Sequence, residues 1–267
     1  MLYDMHLSYL AGLKVALESG TTSPNMIFFE DEFPVFQGLC PRKGRVQGNE
    51  PLLTPQNYRA VTYTAAIVIG YEGVVKCSLY QRPMNDQTFK EFCLETEEIP
   101  PHARNLGGRP LTQLLPRRSY IVWDRLGRSG RCKEPIRMHY NPEIRRQLKE
   151  AGVEVIILPP KGHLLNPEEV FHASLQDRIS RWNPPGNPKN EFGRLIVGPR
   201  SFKEAQVALS EALAELGGNS SITKGCYEKR AYGQDLLRRL HQSKIGKSVL
   251  HEREEVQFIH HWPKHEE

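Results

Sequence analysis

Residues 153–171 read VEVIILPPKGHLLNPEEVF, and this stretch decides the fold. Val153, Val155, Ile156 and Ile157 are the β-branched residues of a buried strand. Pro159 and Pro160 end it, because proline cannot donate to a ladder. After a short loop, Pro167 stands where proline is favoured, at the start of a helix. Glu168 and Glu169 then fall on the first helical turn, where the dipole favours negative charge. The region just past a strand end is also where α/β folds keep their chemistry. Spacing alone leaves two roles open for these carboxylates, helix cap or metal ligand.

Working outward, a helix over residues 142–151 begins with Pro142 and stops at Gly152, directly before that strand. SYIVWD (119–124) is the strand before it. Further back, Asn85 or Asp86 caps a helix carrying Phe89, Phe92 and Leu94. Residues 60–70 and 73–82 form two strands separated only by Tyr71 and Glu72, which predicts a β-hairpin. MIFFEDEF (26–33) is the first strand, bounded by Pro24 and Pro34. A hairpin-joined start followed by βαβ crossovers implies a mixed five-stranded sheet with helices on both faces. Residues 2–18 repeat apolar side chains at helical spacing. Beyond the linker WNPPGNPKN, helices are expected over 201–216 and 227–243, followed by a polar tail with His260, His261 and His265 to which no function is assigned. The expected organisation is an N-terminal helix and turn (1–24), an α/β domain (25–182), and a linker with a helical C-terminal extension (183–267).

With 267 residues and 39% hydrophobic content, the chain can bury a full core. A net charge of +5 permits a polyanionic partner without demanding one. Cys40, Cys77, Cys93, Cys132 and Cys226 are scattered, with no C-x-x-C pair, and read as free thiols of a reducing compartment. No apolar run reaches membrane-span length and no signal-peptide pattern opens the chain, so an intracellular protein without a membrane partner is expected.

Three carboxylates fall at comparable places on this framework. Asp31 lies near the end of the first strand, Asp124 at the end of the fourth, and Glu169 on the helix after the fifth. If the first and fourth strands are neighbours, Asp31 and Asp124 emerge side by side. Such acids cannot all stay ionised at close quarters without a counter-charge. Hard oxygen donors call for Mg2+ or Mn2+ rather than zinc, and two such ions support in-line phosphoryl transfer. Acids at strand ends and first helical turns are also common caps.

Residues 25–181, and more loosely those up to 240, resemble the catalytic domain of mariner-like DDE transposases and their insertion-sequence relatives. The resemblance rests on Phe29, Asp31 and Glu32 in FEDE, on Gly48 and Pro51 in QGNEP, and on IVWD ending at Asp124. Its most specific block is Leu158-Pro159-Pro160, then Leu165-Asn166-Pro167, then Glu169. It implies a ribonuclease H-like fold, with Asp31, Asp124 and Glu169 holding two Mg2+ or Mn2+ ions and Glu168 as a variable neighbour. The chain departs from the pattern at Arg125, where Asn is usual, and at KGHLL (161–165). It also has His172 where Trp is frequent, and a longer interval between Asp124 and Glu169. His139 stands at the place of a frequent family histidine. Only 30 residues precede Asp31, so the helix-turn-helix modules of such transposases are expected to be missing, through truncation, a split reading frame or domestication.

The longer interval carries Arg125, Arg128, Arg131, Lys133 and Arg137 around Gly127 and Gly130, against the single acid Glu134. Beside an acidic metal pocket, a flexible basic loop suits phosphate contacts; alone it reads as a solvated loop. Lys161 and His163 take the same reading. Residues 228–247 form a basic amphipathic helix, more often packed than DNA-reading. The expected activity is metal-dependent cleavage and strand transfer of DNA phosphodiesters, with double-stranded DNA as partner and a homodimer or separate DNA-recognition subunit alongside. A catalytically weakened relative that binds or assembles on DNA is the alternative. The location would be nuclear in a eukaryote, or cytoplasm and nucleoid in a bacterium.

Overall fold

The computed structural model describes residues 20–36, 62–96, 107–124, 138–159, 165–186, 201–217 and 220–230, together with 9, 12, 13, 16, 17 and 199. Its centre is a sheet of β1 (Ile27–Phe36), β2 (Thr62–Gly70), β3 (Gly73–Tyr80), β4 (Ser119–Trp123) and β5 (Val153–Ile157). The strand order is β3-β2-β1-β4-β5. β1, β2 and β3 pair antiparallel, as the short Tyr71–Glu72 connection requires. β4 runs parallel to both β1 and β5. The expected neighbourhood of first and fourth strands is therefore realised.

Around the sheet lie α1 (Asp86–Leu94), the single turn α2 (Leu111–Leu114), α3 (Pro142–Glu150), α4 (Glu168–Arg181), α5 (Phe202–Leu216) and α6 (Ser220–Arg230). Asn85 caps α1 through a reciprocal pair with Thr88. Asn141 caps α3, with Pro142 in its first turn. Gly152, at φ 83, turns the chain from α3 into β5.

Strand alternation divides the core between two faces. On one face Ile27, Phe29, Phe33 and Val35 of β1 and Tyr120 and Val122 of β4 meet α4, α5 and α6, joined by Tyr9, Leu13 and Ala16. On the other, Phe28 and the β4 residues Ile121 and Trp123 meet Phe89 and Phe92 of α1 and Ile144 and Leu148 of α3. Burying an aromatic or aliphatic side chain of this size contributes about 1.5–3 kcal/mol, so each face has ample material to hold its helices.

α5 and α6 are fastened to the sheet by specific contacts. The end of α5 abuts the hairpin: Gly217 O accepts from Val74 N–H at 3.4 Å, and a Cβ on Gly73 would come within 2.8 Å of that carbonyl. The Tyr227 hydroxyl of α6 reaches the carbonyls of both Ile27 and Ile69, at 2.9 and 3.0 Å.

Three local expectations are corrected. β1 does not stop at Pro34 but runs on to Phe36. Beyond Asp31 it pairs with β2 alone among the described residues, and a strand open on one side tolerates proline. The passage before β4 holds the extra turn α2. The last helix begins at Ser220 rather than Tyr227, and the remainder of its expected span lies outside the described residues, as do Gly48, Pro51 and Pro160. Cys77, Cys93 and Cys226 are free thiols. No helix among the described residues is long and apolar enough to cross a membrane.

Candidate active site

The parallel register of β1 and β4 ends at Glu30 opposite Trp123. One residue further on each strand stand Asp31 and Asp124, so the two acids leave the sheet side by side. Alternation puts both in phase with the face that carries α4.

Asn166 explains the Leu-Asn-Pro-x-Glu block physically. It is buried, and its amide donates to Asp31 Oδ2 at 3.0 Å. Its carbonyl oxygen accepts the Glu168 N–H, also at 3.0 Å. One side chain therefore caps α4 and ties it to the first acid. Leu158 and Leu165 anchor the two ends of the intervening loop in the core, and Pro167, at φ −62, is already set for the helix.

Asp31 Oδ1 also accepts the Glu32 N–H at 2.8 Å. Burial, followed by the charge of Glu32, holds its carboxyl well above the usual range; the Glu32 N–H opposes this, while Asp124 and Glu169 add to it. The interaction with Glu169 places that residue electrostatically near Asp31, and Glu169 itself is exposed. Asp124 is half-buried, and its main-chain carbonyl lies 2.7 Å from His139 Nδ1.

Glu168 has a role that sequence reading missed. It is fully buried, and its Oε1 accepts the Ile69 N–H of β2 at 3.1 Å. Burial first, then the charges of Asp31 and Glu30, raise its carboxyl well above the usual range. Its Oε2 lies 3.7 Å from Nε2 of His172. Burial lowers the His172 pKa to about 3, so the ring is neutral, and it packs on Phe33 with centroids 4.4 Å apart. The adjacent acids thus divide their work, Glu168 bracing the helix against β2 and Glu169 facing solvent. The burial of neighbouring positions on α4 was the available signal, because Phe171, His172 and Leu175 repeat the phase of Glu168.

On the opposite face of β1, Glu30 and Glu32 turn toward His139. Their carboxylate oxygens and the His139 ring nitrogen form the only such group of three among the described residues whose ligand atoms all lie within 4.8 Å of one another. Asp31, Asp124 and Glu169 are not gathered that tightly. Arg125, Arg128, Arg131, Lys133, Arg137, Lys161 and His163 lie outside the described residues.

No family model matches the chain, and no curated protein matches it in sequence. Solved structures match it in fold. The mariner Mos1 paired end complex with Mg aligns with a TM-score of 0.57 at 14% identity, over 86% of this chain and 59% of the Mos1 chain. A pre-cleavage Mos1 transpososome gives 0.56 at 13% identity, over 89% and 63%. The Mos1 transposase catalytic domain with Raltegravir and Mn gives 0.50 at 13% identity, over 85% and 89%. The chain thus spans about three fifths of the longer Mos1 chains. With its five-stranded mixed sheet and helices on both faces, the chain matches in fold the ribonuclease H-like catalytic domain of the mariner Mos1 transposase.

Proposed function

We propose that this chain is a DDE-type transposase or endonuclease domain that cleaves DNA phosphodiesters and transfers the resulting strand. Asp31, Asp124 and Glu169 would hold two Mg2+ or Mn2+ ions. The observation that carries this reading is the parallel β1–β4 register, which brings Asp31 and Asp124 to one edge while Asn166 fastens the first turn of α4 to Asp31. An all-carboxylate donor set suits hard dications. Asp31 also sits half-buried among other acids, which is the electrostatic situation that a dication relieves. The Mos1 structures solved with Mg and with Mn, and as paired-end and strand-transfer complexes, support the same reading.

Bound there, the ions would supply Lewis-acid stabilisation of phosphoryl oxygens and lower the pKa of an attacking water or 3′-hydroxyl. The chain's part is positioning. Asn166 fixes Asp31 relative to the helix that presents Glu169, and His139 holds the Asp124 backbone. No protein nucleophile is required, so no covalent protein–DNA intermediate forms. Double-stranded DNA is the proposed substrate. Arg125, Arg128, Arg131, Lys133, Arg137, Lys161 and His163 are proposed to contact its phosphates rather than read bases.

One observation favours a second reading, a weakened relative that binds or assembles on DNA: Glu169 is exposed and not closely gathered with the two aspartates. Nicking of supercoiled plasmid separates the two. The nuclease reading expects Mn2+-dependent nicking by the wild type and a severe loss of it in Asp124→Asn. Since metal assistance contributes several kcal/mol and 1.36 kcal/mol is tenfold in rate, the loss should be on the order of 10²–10³. DNA retention without nicking under Mg2+ or Mn2+ would select the second reading.

A further inference from the structure

Of the trio on the other face of β1, the proposed reaction draws only on the His139 Nδ1 contact to the Asp124 backbone, and leaves Glu30, Glu32 and His139 Nε2 without a role. Glu30 is completely buried, and neither of its carboxylate oxygens has a hydrogen-bond partner among the described residues. Its Oε2 lies 3.7 Å from His139 Nε2, and Glu32 Oε1 lies 3.4 Å from the same nitrogen. His139 is itself fully buried between the rings of Phe89 and Trp123, with centroids 4.9 and 5.6 Å away. Apolar walls of this kind make an uncompensated carboxylate costly.

The tautomer of His139 sharpens the point. Nδ1 faces the Asp124 carbonyl oxygen at 2.7 Å, and a carbonyl only accepts, so Nδ1 carries a proton. In the neutral ring, Nε2 then presents a lone pair to two carboxylates. That is repulsive unless a proton or a metal cation lies between them. A histidine whose outer N–H is held by a backbone carbonyl while its other nitrogen faces a cluster of donors is the usual posture of a metal ligand. Donors about 2.1 Å from a tetrahedral zinc lie roughly 3.4 Å apart, close to the 3.7 and 3.4 Å from His139 Nε2 to Glu30 and Glu32.

We propose that Glu30, Glu32 and His139 form a metal site for a borderline transition dication, with Zn2+ as the best match, separate from the Asp31–Asp124 edge. Imidazole nitrogen in the donor set selects such an ion over Mg2+. Glu32, with a side chain 11% exposed, gives the ion its way in. The ion would fix His139 and, through Nδ1, the main chain at Asp124. This inference does not depend on the nuclease reading.

The test uses the full chain with Asp31→Asn and Asp124→Asn to remove the other site, and with His260, His261 and His265 changed to Ala to remove adventitious ligands. Titration with Co2+, followed by its visible d–d absorption, should show one ion bound per chain, displaced by Zn2+ but not by Mg2+. His139→Gln should abolish the band. Should that variant fail to fold by circular dichroism, Glu32→Gln, at the accessible end of the cluster, should weaken Co2+ binding at least tenfold. Absence of Co2+ binding in the starting background overturns the proposal. Binding that His139→Gln leaves unchanged, or that Glu32→Gln leaves unchanged where the first variant does not fold, overturns it equally.

Discussion

Glu30, Asp31 and Glu32 are consecutive on one strand, yet the two faces of β1 treat their charges differently. On the α4 face, Asp31 receives an amide from Asn166 and a main-chain N–H from Glu32. On the opposite face, Glu30 is buried deeper and receives no hydrogen bond among the described residues. The period of two sends neighbouring acids apart, and the covering elements then decide their chemistry. α4 brings a polar helix start to one side, whereas α1 and β4 bring Phe89 and Trp123 to the other. A carboxylate that is hydrogen-bonded and near solvent can be held in place and still take a ligand. One enclosed by rings needs a proton or a cation.

The largest effect that could break this contrast is expected from Asn166→Ala, since Asn166 is what distinguishes the satisfied face. Losing a helix cap costs about 0.5–2 kcal/mol, and losing the donor to Asp31 adds roughly 1 kcal/mol. Urea unfolding should register the sum. Plasmid nicking should fall by more than stability alone explains, because Asp31 and the first turn of α4 lose their common anchor. Unchanged nicking in a folded Asn166→Ala protein would mean that the two faces differ in hydrogen bonding without functional consequence.

Glu168 supplies the next test. Glu168→Ala leaves the Ile69 N–H buried without its acceptor, at a cost of about 1–3 kcal/mol, whereas Glu168→Gln keeps an acceptor there and should be far milder. Comparing the two midpoints in denaturant separates loss of the hydrogen bond from loss of the buried carboxyl. Equal destabilisation by both would mean that the charge, rather than the bond to β2, matters at this position.

The strands, the hairpin and the mixed sheet were legible because strand period, hairpin spacing and βαβ crossovers are local signals; the adjacency of Asp31 and Asp124 hung on the first and fourth strands being neighbours, which the transposase resemblance implied and periodicity alone did not fix. The start of α4 was legible from Pro167. What escaped the sequence depends on tertiary burial. Glu168 and Glu169 are chemically identical, and only the packing of Phe171 and Leu175 shows which of them turns inward. Glu30 and Glu32 were passed over because the partner that gives them meaning, His139, is far away in sequence and reaches them only when the turn Met138–Tyr140 docks beside β4. The early start of α6 escaped for a different reason. SSITKGCYEKR has little apolar period and contains Gly225, so its helix is held by the burial of Thr223, Cys226 and Tyr227 rather than by propensity.

His172 offers a pH-dependent handle on the α4 face. Its folded pKa is lowered from 6.5 to about 3 by burial. Between those values the unfolded chain binds a proton that the folded one does not. Stability therefore rises with pH through the window and is lost as pH falls from 6.5 toward 3, by up to ~1.4 kcal/mol per pH unit. His172→Phe, which keeps an aromatic ring against Phe33, should flatten the acid limb of a thermal-melting profile. An acid limb of unchanged slope would place that proton uptake on a group other than His172; the raised carboxyls of Glu30, Asp31 and Glu168 act in the opposite sense, adding stability as pH falls.

The smallest effect is expected from Tyr227→Phe, which tests whether activity on the α4 face follows general stability or the local anchor. The Tyr227 hydroxyl joins α6 to the seam between β1 and β2, at the Ile27 and Ile69 carbonyls, away from Asp31 along the strand. Its removal takes away one buried hydroxyl shared between two acceptors, worth about 0.5–1.5 kcal/mol. The ring remains and keeps its edge-on contact with Phe29, at 5.3 Å between centroids, so no cavity opens. A small fall in the urea midpoint with unchanged Mn2+-dependent nicking is the expected outcome. Paired with Asn166→Ala, it separates a residue that only holds the fold from one that also sets the site. A nicking loss in Tyr227→Phe as large as that in Asn166→Ala would show that the acids respond to any loosening of this face, and that Asn166 has no special claim on Asp31.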